Sequence, residues 1–233
     1  MKDYFVNISL KDDEIPDLYL VRSAIRDFLV NEKANLRGRF LDFGCGEMPY
    51  RKMLCENSEI KEYIGLDLDV ATAHRKNKPD LTWDGKTIPI ADNTIDCAMA
   101  TEVFEHCAEP ELVMKEIRRV LKPGGFLIFT VPFLWPLHEV PYDEYRYTPF
   151  SLERHLKQSG YAAVNISALG GWNASMAQML GLWLRRAPMP ERRRKFMKFM
   201  LMPFYRYLIK RNFPVRKFGE STMVTGLCGK AVK

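Results

Sequence analysis

The stretch RFLDFGCG, residues 39–46, decides the reading of this chain. A short apolar run, RFLDF, ends on Asp42 and Phe43 and turns through Gly44-Cys45-Gly46, so a strand is followed by a glycine-bearing turn. Two glycines there let backbone approach a ligand at the carboxyl edge of a sheet, where open α/β sheets bind ligands. Taken singly the signal equally fits a tight strand-to-helix turn. A dinucleotide fingerprint would place a third glycine where Pro49 stands, which counts against a nicotinamide or flavin cofactor.

The same arrangement repeats outward from this point. YIGLDLD (63–69) reads as a second strand ending at Asp67, with Asp69 as its neighbouring competitor, and LTWDG (81–85) as a third ending at Asp84-Gly85. TIDCAMAT (94–101) is the fourth strand, Pro110–Leu121 a helix, Lys122–Gly125 a turn, and FLIFTVP (126–132) the fifth strand. A helix over 17–36 precedes them, after the start signal Pro16-Asp17. Strands alternating with helices predict an α/β fold with a mostly parallel sheet. A carboxylate at Asp67 suits a ribose diol. Asp84 can accept from an adenine amino group, and Gly85 admits the ring. After the fifth strand, PFLWPLHEVPYDEYRYTP (132–149) is a long loop of the kind kept for function. Ser151–Ser159 then reads as a helix, and YAAVNISAL (161–169) and TMVTGLCGKAV (222–232) as the last strands.

LDFGCG, GLDLD, WDG, IDCAMATEVFEH and RRVLKPGGFLIFTVP, in this order, resemble the successive motifs of class I S-adenosylmethionine-dependent methyltransferases of the type 11 group. The resemblance is close over about 38–132 and extends over 1–169 with the final strand; the segment WPLHEVPYDEYRYTPFSLERHLKQSGY is similar to bacterial members associated with glycan and polysaccharide biosynthesis. It implies a Rossmann-like sheet in strand order 3-2-1-4-5-7-6 with strand 7 antiparallel, and S-adenosylmethionine as cofactor. It places Asp42, Gly44 and Gly46, with Cys45, at the methionine end, Asp67 and Leu68 at the ribose, Asp84 and Gly85 at the adenine, and Thr101 and Glu102 near the methionine moiety or the acceptor. Where many members carry a third glycine, this chain has Met48-Pro49, whose side chains would narrow the cofactor pocket.

The sulfonium already activates the methyl group, so the protein supplies orientation and, for a hydroxyl acceptor, a proton acceptor working near pH 7. His138, close in sequence to Asp143 and Arg146, is the expected general base, and Arg146 the expected clamp for an anionic or sugar group. His106, in EVFEH, is its rival; His74 and His155 read as surface residues. No metal site is expected, because the five cysteines are scattered and show no CxxC pair. The expected reaction is methyl transfer to a small-molecule, glycan or lipid-linked acceptor, at oxygen. RNA methylation and non-catalytic S-adenosylmethionine binding are the alternatives. No Asn-Pro-Pro-Tyr-like run follows the fourth strand, which argues against methylation of a base amine.

Composition sharpens the domain plan. The net charge of +6 on 233 residues is uneven: 185–217 carry twelve Lys/Arg and one acid, a balance of +11, and the remainder sums to −5. We therefore divide the chain into 1–169 plus 219–233, the methyltransferase-like domain, and 170–218, a basic amphipathic helical insertion between the last two strands. In RRRKFMKFMLMPFYRYLIKR (192–211), Phe196, Phe199, Met200, Phe204, Tyr207 and Leu208 form one stripe, while Arg194, Lys198, Arg206 and Lys210 fall on another face. Pro203 should kink or divide this helix. Such a segment suits an anionic membrane surface through 190–217, or packing on the sheet domain, or dimerisation. RNA is the weaker partner, DNA is not expected, and the oligomeric state is open. The N-terminus is too acidic for a secretory signal and no apolar run reaches a membrane span, so the expected location is cytoplasmic, peripheral on the inner membrane face.

Overall fold

The structure is a computed structural model and describes residues 4–12, 14–69 and 77–233. Its sheet contains β1 Arg37–Phe43, β2 Glu59–Leu68, β3 Leu81–Trp83, β4 Ile95–Thr101, β5 Leu121–Pro132, β6 Ala163–Leu169 and β7 Gly226–Val232. Their order is β3-β2-β1-β4-β5-β7-β6. Strands β1 to β5 run parallel, whereas β7 is antiparallel to both β5 and β6. This is the predicted class I order, with strand 7 reversed. The α-helices among the described residues are α1 Pro16–Glu32, α2 Arg51–Cys55, α3 Pro110–Val120, α4 Pro149–Gln158, α5 Trp172–Arg186 and α6 Glu191–Lys210.

The period-two alternation of the strands divides the core between two faces. Leu41, Phe43, Ala98, Ala100, Leu127 and Phe129 pack against α3 and α4 through Met114, Ile117, Leu152 and Leu156. Their neighbours Phe40, Cys97, Met99, Phe126 and Ile128 face the other way, against Ile25 and Leu29 of α1 and Leu54 of α2. Each large aliphatic or aromatic side chain buried this way contributes about 1.5–3 kcal/mol. That double burial is why β4 and β5 read as continuous apolar runs.

Two local expectations are corrected. Strand β5 starts at Leu121, not Phe126, because Lys122–Gly125 bulges within the strand: Ile95 pairs with Leu121, and Cys97 already with Phe126. Gly124 has φ +74°, and a Cβ on Gly125 would lie 2.9 Å from the Lys122 carbonyl oxygen, so the bulge demands these glycines. Second, α6 runs unbroken through Pro203; packing on α5 holds the helix across it.

Helices α5 and α6 lie between β6 and β7 and pack on α1. Ala177 and Leu184 of α5 meet Met202, Tyr205 and Leu208 of α6. Gly181 allows the closest approach, since a Cβ there would lie 2.6 Å from the Pro16 carbonyl oxygen. The Tyr205 hydroxyl donates to that same oxygen at 2.7 Å, and Gln178 Nε2 donates to the Asp17 carbonyl at 3.0 Å. Of the predicted apolar stripe only Leu208 is buried; Phe196, Phe199, Met200, Phe204 and Tyr207 are exposed. The basic ladder is also revised. Arg194 donates to the Leu184 and Ala187 carbonyls and so caps the C-terminus of α5.

Candidate active site

The carboxyl ends of β1, β2, β3 and β4 bring Asp42, Asp67, Asp84 and Glu102 to one edge of the sheet. Gly44 and Gly46 turn away from β1 with φ of +67° and +56°. Gly44 is hemmed in, because a Cβ there would lie 2.5 Å from Val103 Cγ2. Gly46 instead faces open space, with nothing within 4 Å of such a Cβ. The Gly46 N–H donates to Asp67 Oδ2 at 2.9 Å, and the Leu68 N–H to Asp67 Oδ1 at 2.8 Å, so the buried carboxylate is fixed in orientation. Asp42 is buried and accepts from the Tyr63 hydroxyl. Burial pushes its pKa up to about 7, against the lowering effect of that hydrogen bond.

A second cluster forms where the turn after β4 meets the 132–149 loop. The short 3-10 turn Phe104–His106 presents Glu105 and His106, and the loop presents His138. The two imidazoles meet edge to face, centroids 4.7 Å apart. His106 Nδ1 lies 3.0 Å from the Tyr142 carbonyl oxygen, and His138 Nδ1 lies 3.2 Å from Asp143 Oδ2. Both acceptors require Nδ1 to carry the proton, which leaves a lone pair on each neutral Nε2. Burial lowers the His138 pKa, favouring that neutral form. Glu105 is fully buried, its backbone carbonyl accepting from Glu144 N–H at 2.8 Å and Tyr145 N–H at 3.1 Å. Burial drives its carboxyl well above the usual range, and the charge of Glu102 adds to this. Glu102 has φ +56° and accepts from Thr130 Oγ1 at 2.9 Å. A non-glycine residue in the left-handed region at a ligand-facing edge is a common mark of function.

Residues 41–129 match the family model described as a methyltransferase domain. Residues 41–129 are thus a class I S-adenosylmethionine-dependent methyltransferase domain of the type 11 group. The malonyl-[acyl-carrier protein] O-methyltransferase of Alcanivorax borkumensis is 29% identical over 43% of this chain and 37% of its own length. Among solved structures, the methyltransferase domain and its additions resemble the [4+2]-cyclase SpnF, with TM-score 0.59 and 18% identity over 98% of this chain and 86% of that one. An S-adenosylmethionine-dependent methyltransferase from Archaeoglobus fulgidus gives TM-score 0.56 and 17% identity, covering 92% of this chain and 93% of its own. At these identities the solved structures share the fold. The chain spans between 29% and 58% of the length of the first four curated relatives it matches.

In this methyltransferase domain Asp42, Gly44, Cys45, Gly46, Asp67, Leu68, Asp84, Gly85, Thr101 and Glu102 lie at or just beyond the carboxyl ends of β1 to β4. Asp84 is partly committed, because its Oδ1 accepts from the Lys86 and Thr87 N–H groups, which hold its pKa below the ordinary value. The Met48 Sδ would lie 2.6 Å from a Cβ at Gly65, beside Cys45 Sγ at 3.1 Å, so this side chain packs on β2 next to the turn. Arg146 departs furthest from expectation. Its guanidinium donates to Asp143 Oδ1 at 2.6 Å and Oδ2 at 2.8 Å, and to the Tyr145, Trp135 and Pro136 carbonyls. It fastens the loop on itself, and an acceptor would meet little more than its Nε–H. His155 is half-buried, with Nδ1 3.1 Å from Glu111 Oε1, rather than a surface residue. His74 lies outside the described residues. The sequence alone does not single out Glu105. Its one signal was its place beside His106 in EVFEH, and its burial is set by the 132–149 loop.

Proposed function

We propose that this chain transfers the methyl group of S-adenosylmethionine to an oxygen of a small-molecule, glycan or lipid-linked acceptor at an anionic membrane surface. The observation that carries the reaction is the pairing of His106 and His138 beside the strand-end edge, each with its Nδ1 engaged elsewhere and its Nε2 free to meet a hydroxyl. The cofactor supplies a methyl group already activated on sulfur. The open space at Gly46 and the oriented Asp67 carboxylate fit the methionine and ribose ends, with Asp84 and Gly85 left for adenine. His138, held by Asp143, takes up the hydroxyl proton, a contribution of about 100- to 10,000-fold in rate. The O-methyltransferase from Alcanivorax borkumensis supports oxygen as the acceptor atom.

The exposed stripes support the membrane. Trp172, Met176, Met179 and Trp183 along α5, and Phe196, Phe199, Met200, Phe204 and Tyr207 along α6, remain outside the fold. Exposed Arg192, Arg193, Lys195, Lys210 and Arg211 flank the second stripe. Aromatic and basic residues on one amphipathic element complement an anionic bilayer, at about 1 kcal/mol per basic group.

Calorimetry with S-adenosylmethionine on wild type and Asp67→Ala tests the cofactor site; equal affinity in both overturns it. Transfer of labelled methyl to a panel of hydroxyl acceptors tests the reaction. Tight binding with no turnover on any of them would favour a binding role or other chemistry on the same fold, as the cyclase likeness illustrates.

A further inference from the structure

We propose that Glu105, His106 and His138 form a site for one divalent transition-metal cation at the acceptor end of the methyltransferase site. One ligand atom from each lies within 4.8 Å of the other two. Cation–ligand bonds of about 2.0–2.2 Å allow two ligand atoms to stand up to about 4.4 Å apart, so small side-chain shifts close the three onto one ion.

The second observation is the state of Glu105. Its side chain has 0% exposure, and neither carboxylate oxygen has a hydrogen-bond partner among the described residues. The ring nitrogen it approaches is His106 Nε2, 3.8 Å from Oε1 and beyond hydrogen-bond reach. Burying a carboxylate without a partner costs several kcal/mol, and a cation at the two Nε2 atoms would remove that cost.

The third observation is the outer shell. A ligating histidine ordinarily donates its other N–H to a carbonyl or carboxylate, which fixes tautomer and ring. His106 does this to the Tyr142 carbonyl and His138 to Asp143, which Arg146 holds through both its oxygens. The Glu105 carbonyl, bonded to the Glu144 and Tyr145 N–H groups, ties the two ligand-bearing segments together. With Nδ1 engaged as donor, each ring keeps its lone pair on Nε2, and that of His106 lies 3.8 Å from Glu105 Oε1.

Two imidazole nitrogens and one carboxylate oxygen suit Zn²⁺, Fe²⁺, Mn²⁺ or Co²⁺ rather than Ca²⁺ or Mg²⁺, which prefer oxygen shells. Three protein ligands leave positions for acceptor oxygens. Here the inference rests on the oxygen-acceptor reading above; the cation site itself does not. A hydroxyl bound at an open position is acidified and releases its proton to water. Its oxygen then forms the new C–O bond as the C–S bond of the sulfonium breaks, with the electron pair returning to sulfur. In this loaded state His138 is a ligand, and the cation replaces it in promoting loss of the proton.

The test is Co²⁺ alone, titrated into the chelator-treated full chain and followed by visible absorption and calorimetry. One equivalent should bind with a d–d spectrum, and Glu105→Gln, His106→Ala and His138→Ala should each weaken it at least 100-fold. Asp143→Asn should weaken it about 10- to 100-fold through the outer shell. Circular dichroism establishes that each variant is folded. Absence of Co²⁺ binding by wild type, or undiminished affinity in folded Glu105→Gln, overturns the site. Normal S-adenosylmethionine binding without Co²⁺ binding removes the cation site and leaves the methyl-transfer reading. Co²⁺ binding without S-adenosylmethionine binding does the reverse.

Discussion

His106 and His138 meet edge to face at 4.7 Å, although one follows β4 and the other lies in the loop beyond β5. In the proposed reaction the two act at one place. His138→Ala and His106→Ala should each lower kcat by about 100-fold or more, and the double variant should fall well short of the product of the two losses. Single-turnover methyl transfer checks this. Losses that multiply would mean two independent roles.

Asp143 is the anchor of this loop. Bidentate bonding to Arg146, with further donors at His138, holds its carboxyl well below the usual carboxylate range. A depressed native pKa contributes stability that is present above the unfolded value near 4 and is lost as pH falls through the native one. Asp143→Asn should therefore cost about 2–3 kcal/mol at pH 7 in urea unfolding, and the difference from wild type should shrink below about pH 4.

Asp42 carries the opposite sign. Its native pKa is raised to about 7, so the folded state prefers the proton. Stability is lost as pH rises from the unfolded value near 4 through 7. Asp42→Asn should flatten this dependence and stabilise the ligand-free protein at pH 8 by on the order of 1 kcal/mol, read from melting curves between pH 5 and 8.

Gly44 and Gly46 separate stability from binding. Both have left-handed backbone, which costs an alanine about 1–2 kcal/mol. Only Gly44→Ala also drives a methyl group into Val103, so it should melt lower than Gly46→Ala. Gly46→Ala points into open space and should instead lower S-adenosylmethionine affinity at least 10-fold by calorimetry. Unchanged affinity would move the cofactor elsewhere.

Phe199 and Phe204 of α6 stand outside the fold. Replacing both by Glu should leave the melting temperature within a few degrees and cut sedimentation with anionic vesicles at least 10-fold. Wild-type binding should itself weaken as salt rises. Equal sedimentation of the double variant removes the membrane from the proposal.

The sheet was legible because its information is local. Each strand end carries its own acid or glycine, as at Asp42, Asp67 and Asp84, and the order of motifs fixes the order of strands. The acceptor end was only half legible. His106 and His138 were singled out as rivals, since nothing in the spacing says that the loop folds back onto the turn after β4. Arg146 was misjudged for the same reason: its acceptors, the Trp135 and Pro136 carbonyls, are set by loop closure. On α6 the periodic stripe was real, but periodicity does not say which of two apolar faces packs. Tyr205 and Met202 packed, leaving Phe199 and Phe204 outside.

One guanidinium joins the insertion to this loop. Arg186, at the end of α5, bonds Asp17 Oδ2 at 2.8 Å and lies 4.8 Å above the ring of Trp135, three residues before His138 in the chain. The loop that carries His138 and the helix that carries the exposed Trp172, Met176, Met179 and Trp183 are thus joined through one side chain. Under the membrane proposal, seating α5 and α6 on a bilayer would turn that loop toward molecules held in the lipid, and the insertion would set the direction from which an acceptor arrives.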